Sequence, residues 1–83
     1  MNSWEERKRP IRLEKRFEFP SYEETRRFLD LLGELSEAKR IFPDISFGKT
    51  YVNITLRPDN DAQDALITDE HRNFTIQIDE LLD

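Results

Sequence analysis

The sequence predicts a small α+β domain, with an antiparallel sheet of about four strands and helices packed on one face of it. Three observations predict this fold: two stretches alternate apolar and polar residues, a central stretch has helical spacing, and a second helical stretch closes the chain. With 83 residues, 36% of them hydrophobic and 37% charged, the chain can build one domain with a thin core. We expect residues 1–10 to form a flexible N-terminal arm and residues 11–83 to form the domain.

The first alternating stretch follows the arm. Its apolar side is interrupted by Lys15, so we expect two short strands or one kinked strand. The apolar residues on that side are Ile11, Leu13, Phe17 and Phe19.

The central helical stretch begins after Ser21, which can cap it, and Glu24 three residues later can complete a capping box. Gly33 lies in its interior, where glycine costs about 1 kcal/mol relative to alanine, and close approach to a neighbouring backbone would explain it. Pro43 prevents the helix from continuing. The apolar stripe of this helix consists of Phe28, Leu31, Leu32, Leu35 and Ala38.

The second half of the chain repeats the order of strands and helix. Ile45 and Phe47 precede a turn at Gly48, and the strand that follows alternates strictly, with Val52, Ile54 and Leu56 on its apolar side. After a polar loop, Thr68 can cap a closing helix. Its apolar positions are Phe74, Ile78, Leu81 and Leu82.

Composition excludes several kinds of site. The absence of cysteine rules out disulfides and thiolate chemistry, and one histidine among scattered acids does not make a metal site. We expect that histidine, His71, to be exposed to solvent. A net charge of −5 argues against a nucleic-acid partner, and no apolar run approaches the roughly 20 residues of a membrane span. The charged N-terminus lacks the apolar centre of a secretory signal, which favours a cytoplasmic location.

The run from Phe17 to Leu56, within "RFEFPSYEETRRFLDLLGELSEAKRIFPDISFGKTYVNITL", resembles the pterin-4a-carbinolamine dehydratase family in its strand, long helix, corner and strand pair. The closing "LITDEHRNFTIQIDELL" is similar to the last segment of that family. The match covers about residues 11–82, so the resemblance implies the same α+β fold.

The sequence departs from this family at the residues that carry out its reaction. The family signature has an acidic residue, three others, two adjacent histidines and a proline, with a third histidine after the second strand. Glu37 and Pro43 match its flanks, whereas Ile41 and Phe42 occupy the adjacent histidine positions and Asp59 falls at or near the third. Dehydration of the carbinolamine needs groups that transfer protons near neutral pH, which hydrocarbon side chains cannot do. The resemblance therefore implies a degenerate pterin site without catalytic residues or a cofactor.

One branch of this family has a degenerate site and assists Rubisco assembly in α-carboxysomes. Resemblance to that branch implies a homodimer in the bacterial cytoplasm, associated with the carboxysome, with the Rubisco large subunit as partner. The candidate contact residues are Ile41, Phe42 and Tyr51 around the vacated pocket, and Trp4 as an aromatic anchor in the arm. Ile41 and Phe42 also extend the apolar stripe of the helix, which leaves both core and surface positions open for them.

Two alternative functions remain. The first is a divergent dehydratase that uses Glu37, Asp59 and His71 on a pterin. The second is a dimerisation cofactor of another protein, a role associated with the dehydratase family.

Overall fold

A computed structural model describes residues 4–8, 11–57 and 67–82. Within these residues, four strands form one antiparallel sheet in the order β1-β2-β4-β3. Both helices contribute to a core on one face of this sheet, so the predicted α+β fold is confirmed. In chain order the elements are β1 (Glu5–Lys8), β2 (Ile11–Glu18), α1 (Tyr22–Lys39), β3 (Asp44–Phe47), β4 (Tyr51–Leu56) and α2 (Asp69–Glu80).

The core forms because every second residue of β2 and β4 faces the helices. In the register of these two strands, Leu13 is opposite Leu56 and Phe17 is opposite Val52, so the apolar positions of both strands fall on one face. The buried hydrophobic residues are Leu13, Phe17, Phe28, Leu32, Ile41, Val52, Ile54, Leu56, Phe74 and Ile78.

A lysine on the apolar face does not interrupt β2, which is a single strand of eight residues. The Nζ atom of Lys15 lies 2.8 Å from Oδ1 of Asp79 on α2 and 4.7 Å from the centroid of the Phe17 ring. Its side chain is only 11% exposed, because the ammonium group finds a carboxylate partner and the stem lies along apolar surface. Of the two predicted arrangements, the one with two separate short strands is therefore wrong.

Helix α1 begins and ends at local signals. Ser21 caps it as predicted, since its Oγ atom accepts a hydrogen bond from the amide of Glu24. At the other end, Arg40 adopts a left-handed conformation (φ 56°), and the carbonyl of Ser36 accepts hydrogen bonds from the amides of Arg40 and Ile41. This turn ends the helix and directs Ile41 into the core. Among the described residues, no atom outside the adjacent residues and the nearby backbone of α1 itself lies within 4 Å of the position that a Cβ at Gly33 would occupy, so the expected close approach of a neighbouring backbone is wrong.

The prediction of a flexible arm over residues 1–10 is wrong for Glu5–Lys8, which pair with β2 as strand β1. The preceding Trp4 is half-buried, packs edge-on against Phe17 with ring centroids 6.1 Å apart, and donates a hydrogen bond from Nε1 to Asp79. These contacts tie the start of the sheet to α2, although β1 itself has no apolar pattern that would reveal a strand.

The expected exposure of His71 is also wrong, since the residue is only 5% exposed. Its Nδ1 atom accepts a hydrogen bond from the amide of Thr68, and Oγ1 of Thr68 accepts one from the amide of His71. This reciprocal pair is a capping box in which histidine takes the place usual for glutamate or glutamine. The imidazole is therefore held against the start of α2.

Candidate partner-binding surface

The corner between α1 and β3 separates two neighbouring hydrocarbon side chains. Ile41 is 8% exposed and belongs to the core, whereas Phe42 is 71% exposed. Ile41 follows the left-handed turn at Arg40 and faces the core, whereas Phe42, one residue further along the chain, projects into solvent. The sequence left both a core and a surface position open for these residues; the core position applies to Ile41 and the surface position to Phe42.

Strand β3 continues this exposed apolar surface. Ile45 and Phe47 are 40% and 54% exposed. In the sheet register they lie opposite Ile54 and Val52, both of which are buried beneath the helices. Residues directly opposite each other in a ladder share a face, so Ile45 and Phe47 lie on the helix-bearing face, at a margin that the helices do not cover. We call Phe42, Ile45 and Phe47 the corner residues.

A groove of about 490 Å³ lies beside the corner, between the end of α1 and the first turns of α2. Ile41 and Phe74 form its apolar floor, and Ile76, which is 56% exposed, lies at its rim. Among the described residues that line it, Lys39 and Glu70 are the titratable ones. The groove therefore offers hydrocarbon surface with a polar rim and no histidine.

The remaining predicted site residues do not form one surface with the corner. Tyr51 is on the face of the sheet that carries no helices among the described residues, which we call the open face. There the guanidinium of Arg16 lies 4.3 Å from the centroid of the Tyr51 ring. Trp4 lies next to β1, at the opposite edge of the sheet from β3. Glu37 is exposed on α1, and Pro43 is half-buried after Phe42.

Asp59, the position matched to the third family histidine, lies outside the described residues.

The glycine at the β3–β4 turn leaves room for the ring of Tyr51. A Cβ atom at Gly48 would collide with the Tyr51 ring. The amide of Gly48 donates a hydrogen bond to the carbonyl of Tyr51, which closes the hairpin. The ring of Tyr51 is therefore packed between the turn and Arg16.

The open face of the sheet has a different character from the corner. Glu14 accepts hydrogen bonds from Arg12 at 2.7 Å and from Arg7 at 3.2 Å. The hydrogen bond from Arg12 is the main cause that holds the pKa of Glu14 below its ordinary value. At the far end of the sheet, Arg57 pairs with Asp44 at 3.1 Å. Charges on this face are thus satisfied largely within the molecule.

Sequence reasoning missed the exposure of Ile45 and Phe47, which it placed in a strand without assigning them to a surface. A signal for it exists in the pattern of elements, because two helices rarely cover four strands completely and an edge strand is the part left open.

The described residues contain no group of three or more histidine, cysteine or acidic side chains that could hold a metal ion. Within the same residues, no helix combines the length and the apolar character needed to cross a bilayer. At the corner, neither Ile41 nor Phe42 can donate or accept a proton.

In the described residues these features define a class: a small α+β domain with one antiparallel sheet, helices on one face of it and an exposed apolar corner between α1 and β3. No model of a known protein family matches the sequence, and no curated protein does so either.

This chain is similar to a solved structure, with 45% sequence identity and a TM-score of 0.83. The matched region covers 95% of this chain and 88% of the chain in that structure. That protein is described as a pterin dehydratase-like protein identified as a RuBisCO assembly factor in the α-carboxysome. At this identity and coverage, the chain belongs to the pterin dehydratase-like proteins.

Proposed function

We propose that this protein is a Rubisco assembly factor of the α-carboxysome that binds the Rubisco large subunit and has no enzymatic activity. The observation that carries the proposal is the 45% identity, over nearly the whole chain, to a pterin dehydratase-like protein identified in that role. Exposed hydrocarbons at the corner support it, because surface aromatic residues are typical anchors of protein interfaces.

The arrangement of the corner supports a non-catalytic role. Ile41 is part of the hydrophobic core and Phe42 projects into solvent, so both positions serve packing or contact instead of proton transfer. A divergent dehydratase would need acids and bases from elsewhere. His71 is held in its capping box, which disfavours it as a mobile acid or base.

Within this proposal, Phe42 is the principal contact residue, and Ile41 anchors the preceding position in the core. Tyr51 and Trp4 lie on other surfaces of the molecule, so any contact they make with the large subunit is separate from the corner. No cofactor takes part in this function. The cell compartment we propose is the bacterial cytoplasm, at or near the carboxysome.

We also propose that the protein is a homodimer. Its core is thin for a monomer, and small domains commonly gain stability by association. Tyr22, Ile76 and Leu82 are exposed hydrophobic side chains on or shortly after the helices, and exposed side chains of this kind favour contact with a second copy.

Co-expression tests the assembly function directly. Rubisco large and small subunits are expressed with and without this chain, and assembled holoenzyme is measured on native gels. We expect a higher yield of holoenzyme with the chain present, and retention of the large subunit by the tagged chain. Equal yields together with no retained large subunit would contradict the proposal.

The alternative of a dimerisation cofactor for another protein makes a different genetic prediction. If Rubisco and carboxysome genes lie beside the gene of this chain, they support the role in Rubisco assembly. If aromatic-amino-acid hydroxylase genes lie there, they support the role as a dimerisation cofactor.

A further inference from the structure

The two edges of the sheet are built differently. Strand β1, at one edge, has the sequence EERK, in which all four residues are charged. Charged side chains on an edge strand discourage another chain from pairing with it. Strand β3, at the other edge, has the sequence DISF, and all four of its residues are exposed. The β1 edge is therefore charged along its whole length, whereas the β3 edge has one charged residue, Asp44, and two large apolar ones, Ile45 and Phe47.

The backbone of β3 has groups available for a further strand. Gly48 and Tyr51 form the hydrogen-bonded pair that closes the hairpin. From that pair onward, opposite residues of an antiparallel ladder alternate between hydrogen-bonded and non-hydrogen-bonded pairs. By this alternation, Asp44 and Ser46 bond to β4, while the amides and carbonyls of Ile45 and Phe47 face away from the sheet. In the part of the chain that the structure describes, the sheet ends at β3.

The side chains of the same two residues define what could pair there. Ile45 and Phe47 lie on the helix-bearing face beyond the cover of the helices. A strand added outside β3 would place every second side chain next to them, where apolar pairs stabilise a sheet. The edge therefore fits an extended segment with apolar residues at alternate positions, the mode of peptide recognition known as β-strand addition.

The size of the apolar surface indicates whether β3 binds a permanent dimer partner or a transient one. Phe42, Ile45 and Phe47 are 71%, 40% and 54% exposed. At about 200 Å² for a large side chain, the three present roughly 300 Å² of accessible surface. A stable interface buries about 800 Å² of total surface on each partner, so these three side chains supply less than half of what a permanent dimer needs, which favours transient capture.

We propose that β3 captures, by β-strand addition, an extended segment of the Rubisco large subunit that is accessible before assembly. This inference rests on the proposed assembly function and specifies how the corner performs it. The backbone of Ile45 and Phe47 supplies the hydrogen bonds, and the corner residues select apolar side chains on the captured segment.

A proline at position 45 tests the backbone contribution. The amide of Ile45 faces outward, so Ile45→Pro removes a donor for an added strand without removing a bond to β4, and proline is tolerated at such edge positions. Ile45→Ala is the matched control, because it shortens the side chain and keeps the amide. Ser46→Pro tests the assignment of direction, because its amide faces β4 and its loss is expected to lower the melting temperature strongly.

The readout is the amount of Rubisco large subunit, expressed without the small subunit, that the tagged chain retains. We expect Ile45→Pro to retain at least tenfold less than Ile45→Ala, with melting temperatures of the two variants within a few degrees. Amide hydrogen exchange of the unmodified chain is the second measurement. Exchange at Ile45 and Phe47 should slow at least tenfold in the complex, and this holds whether or not the proline variant folds.

The contrary results separate the two proposals. Equal retention by folded Ile45→Pro and Ile45→Ala, or unchanged exchange at both amides, would overturn β-strand addition and leave the assembly function standing. An unmodified chain that retains no large subunit would overturn both. Conversion of a dimer to a monomer by Ile45→Pro alone would show that a second copy occupies the edge, which also overturns the inference.

Discussion

Substitution of Phe42 by serine measures how far the corner after α1 serves as a surface. The side chain is 71% exposed, so less than a third of it is removed from water in the folded chain. For a side chain of about 200 Å² this is about 60 Å², which at about 25 cal/mol per Å² corresponds to about 1.5 kcal/mol. That value is an upper limit because the unfolded chain already buries part of its apolar surface. We expect the free energy of unfolding to fall by about 1 kcal/mol or less.

The neighbouring residue provides the matched control. Ile41 is 8% exposed, so Ile41→Ser removes a core side chain, leaves a cavity and buries a hydroxyl group. Such a change costs about 3 kcal/mol or more. For a domain of this size, 1 kcal/mol corresponds to about 4–8 °C in melting temperature. The serine at position 41 should therefore lower the melting temperature by more than about 12 °C, and the serine at position 42 by a few degrees.

Thermal melts by circular dichroism and retention of the Rubisco large subunit are measured on the same preparations. We expect Phe42→Ser to melt close to the unmodified chain and to retain at least fivefold less large subunit. A melting temperature as low as that of Ile41→Ser would refute the reasoning, because it would show that Phe42 is structural. An unchanged melt together with unchanged retention would remove Phe42 from both roles.

The remaining predictions concern activity, assembly and local stability. Because the corner lacks proton-transfer groups, the chain should not accelerate carbinolamine dehydration above the buffer rate in a stopped-flow assay, and turnover within tenfold of an active family enzyme would contradict this. Light scattering at micromolar concentration should show a species of twice the 10.0 kDa chain mass, and a species of only 10.0 kDa would refute the dimer. Gly33→Ala should raise the free energy of unfolding by about 1 kcal/mol, because the site is open and helical; no gain in denaturant melts would indicate a contact on that face of α1. His71→Ala should lower it by about 2 kcal/mol through loss of the cap and of packing, whereas His71→Gln should lose less because the amide preserves a capping acceptor; equal losses would show that the cap contributes little.

Elements with local signals were predictable. Helix α1 has a cap at Ser21, an apolar stripe and a proline beyond its end, and β4 alternates without a break, so their existence follows from residues close together in the chain. The predicted apolar stripe of α1 includes one residue that is not buried, since Ala38 near the end of the helix is exposed.

Positions that depend on distant partners were not predictable. Strand β1 has no apolar pattern of its own and forms by pairing with β2, and Trp4 is held by Asp79, 75 residues away. His71 is a polar residue that would ordinarily be exposed, yet its capping bonds bury it.

By itself the sequence determined the α+β class and a family resemblance, which implies that Ile41 and Phe42 occupy the positions of two adjacent histidines. Only the tertiary structure decided that the first of these residues lies in the core and the second in solvent, since that depends on the left-handed turn at Arg40. The strand order likewise decided which edge of the sheet is apolar and open. Side-chain identity is local information, whereas exposure is set by what the rest of the chain packs against it.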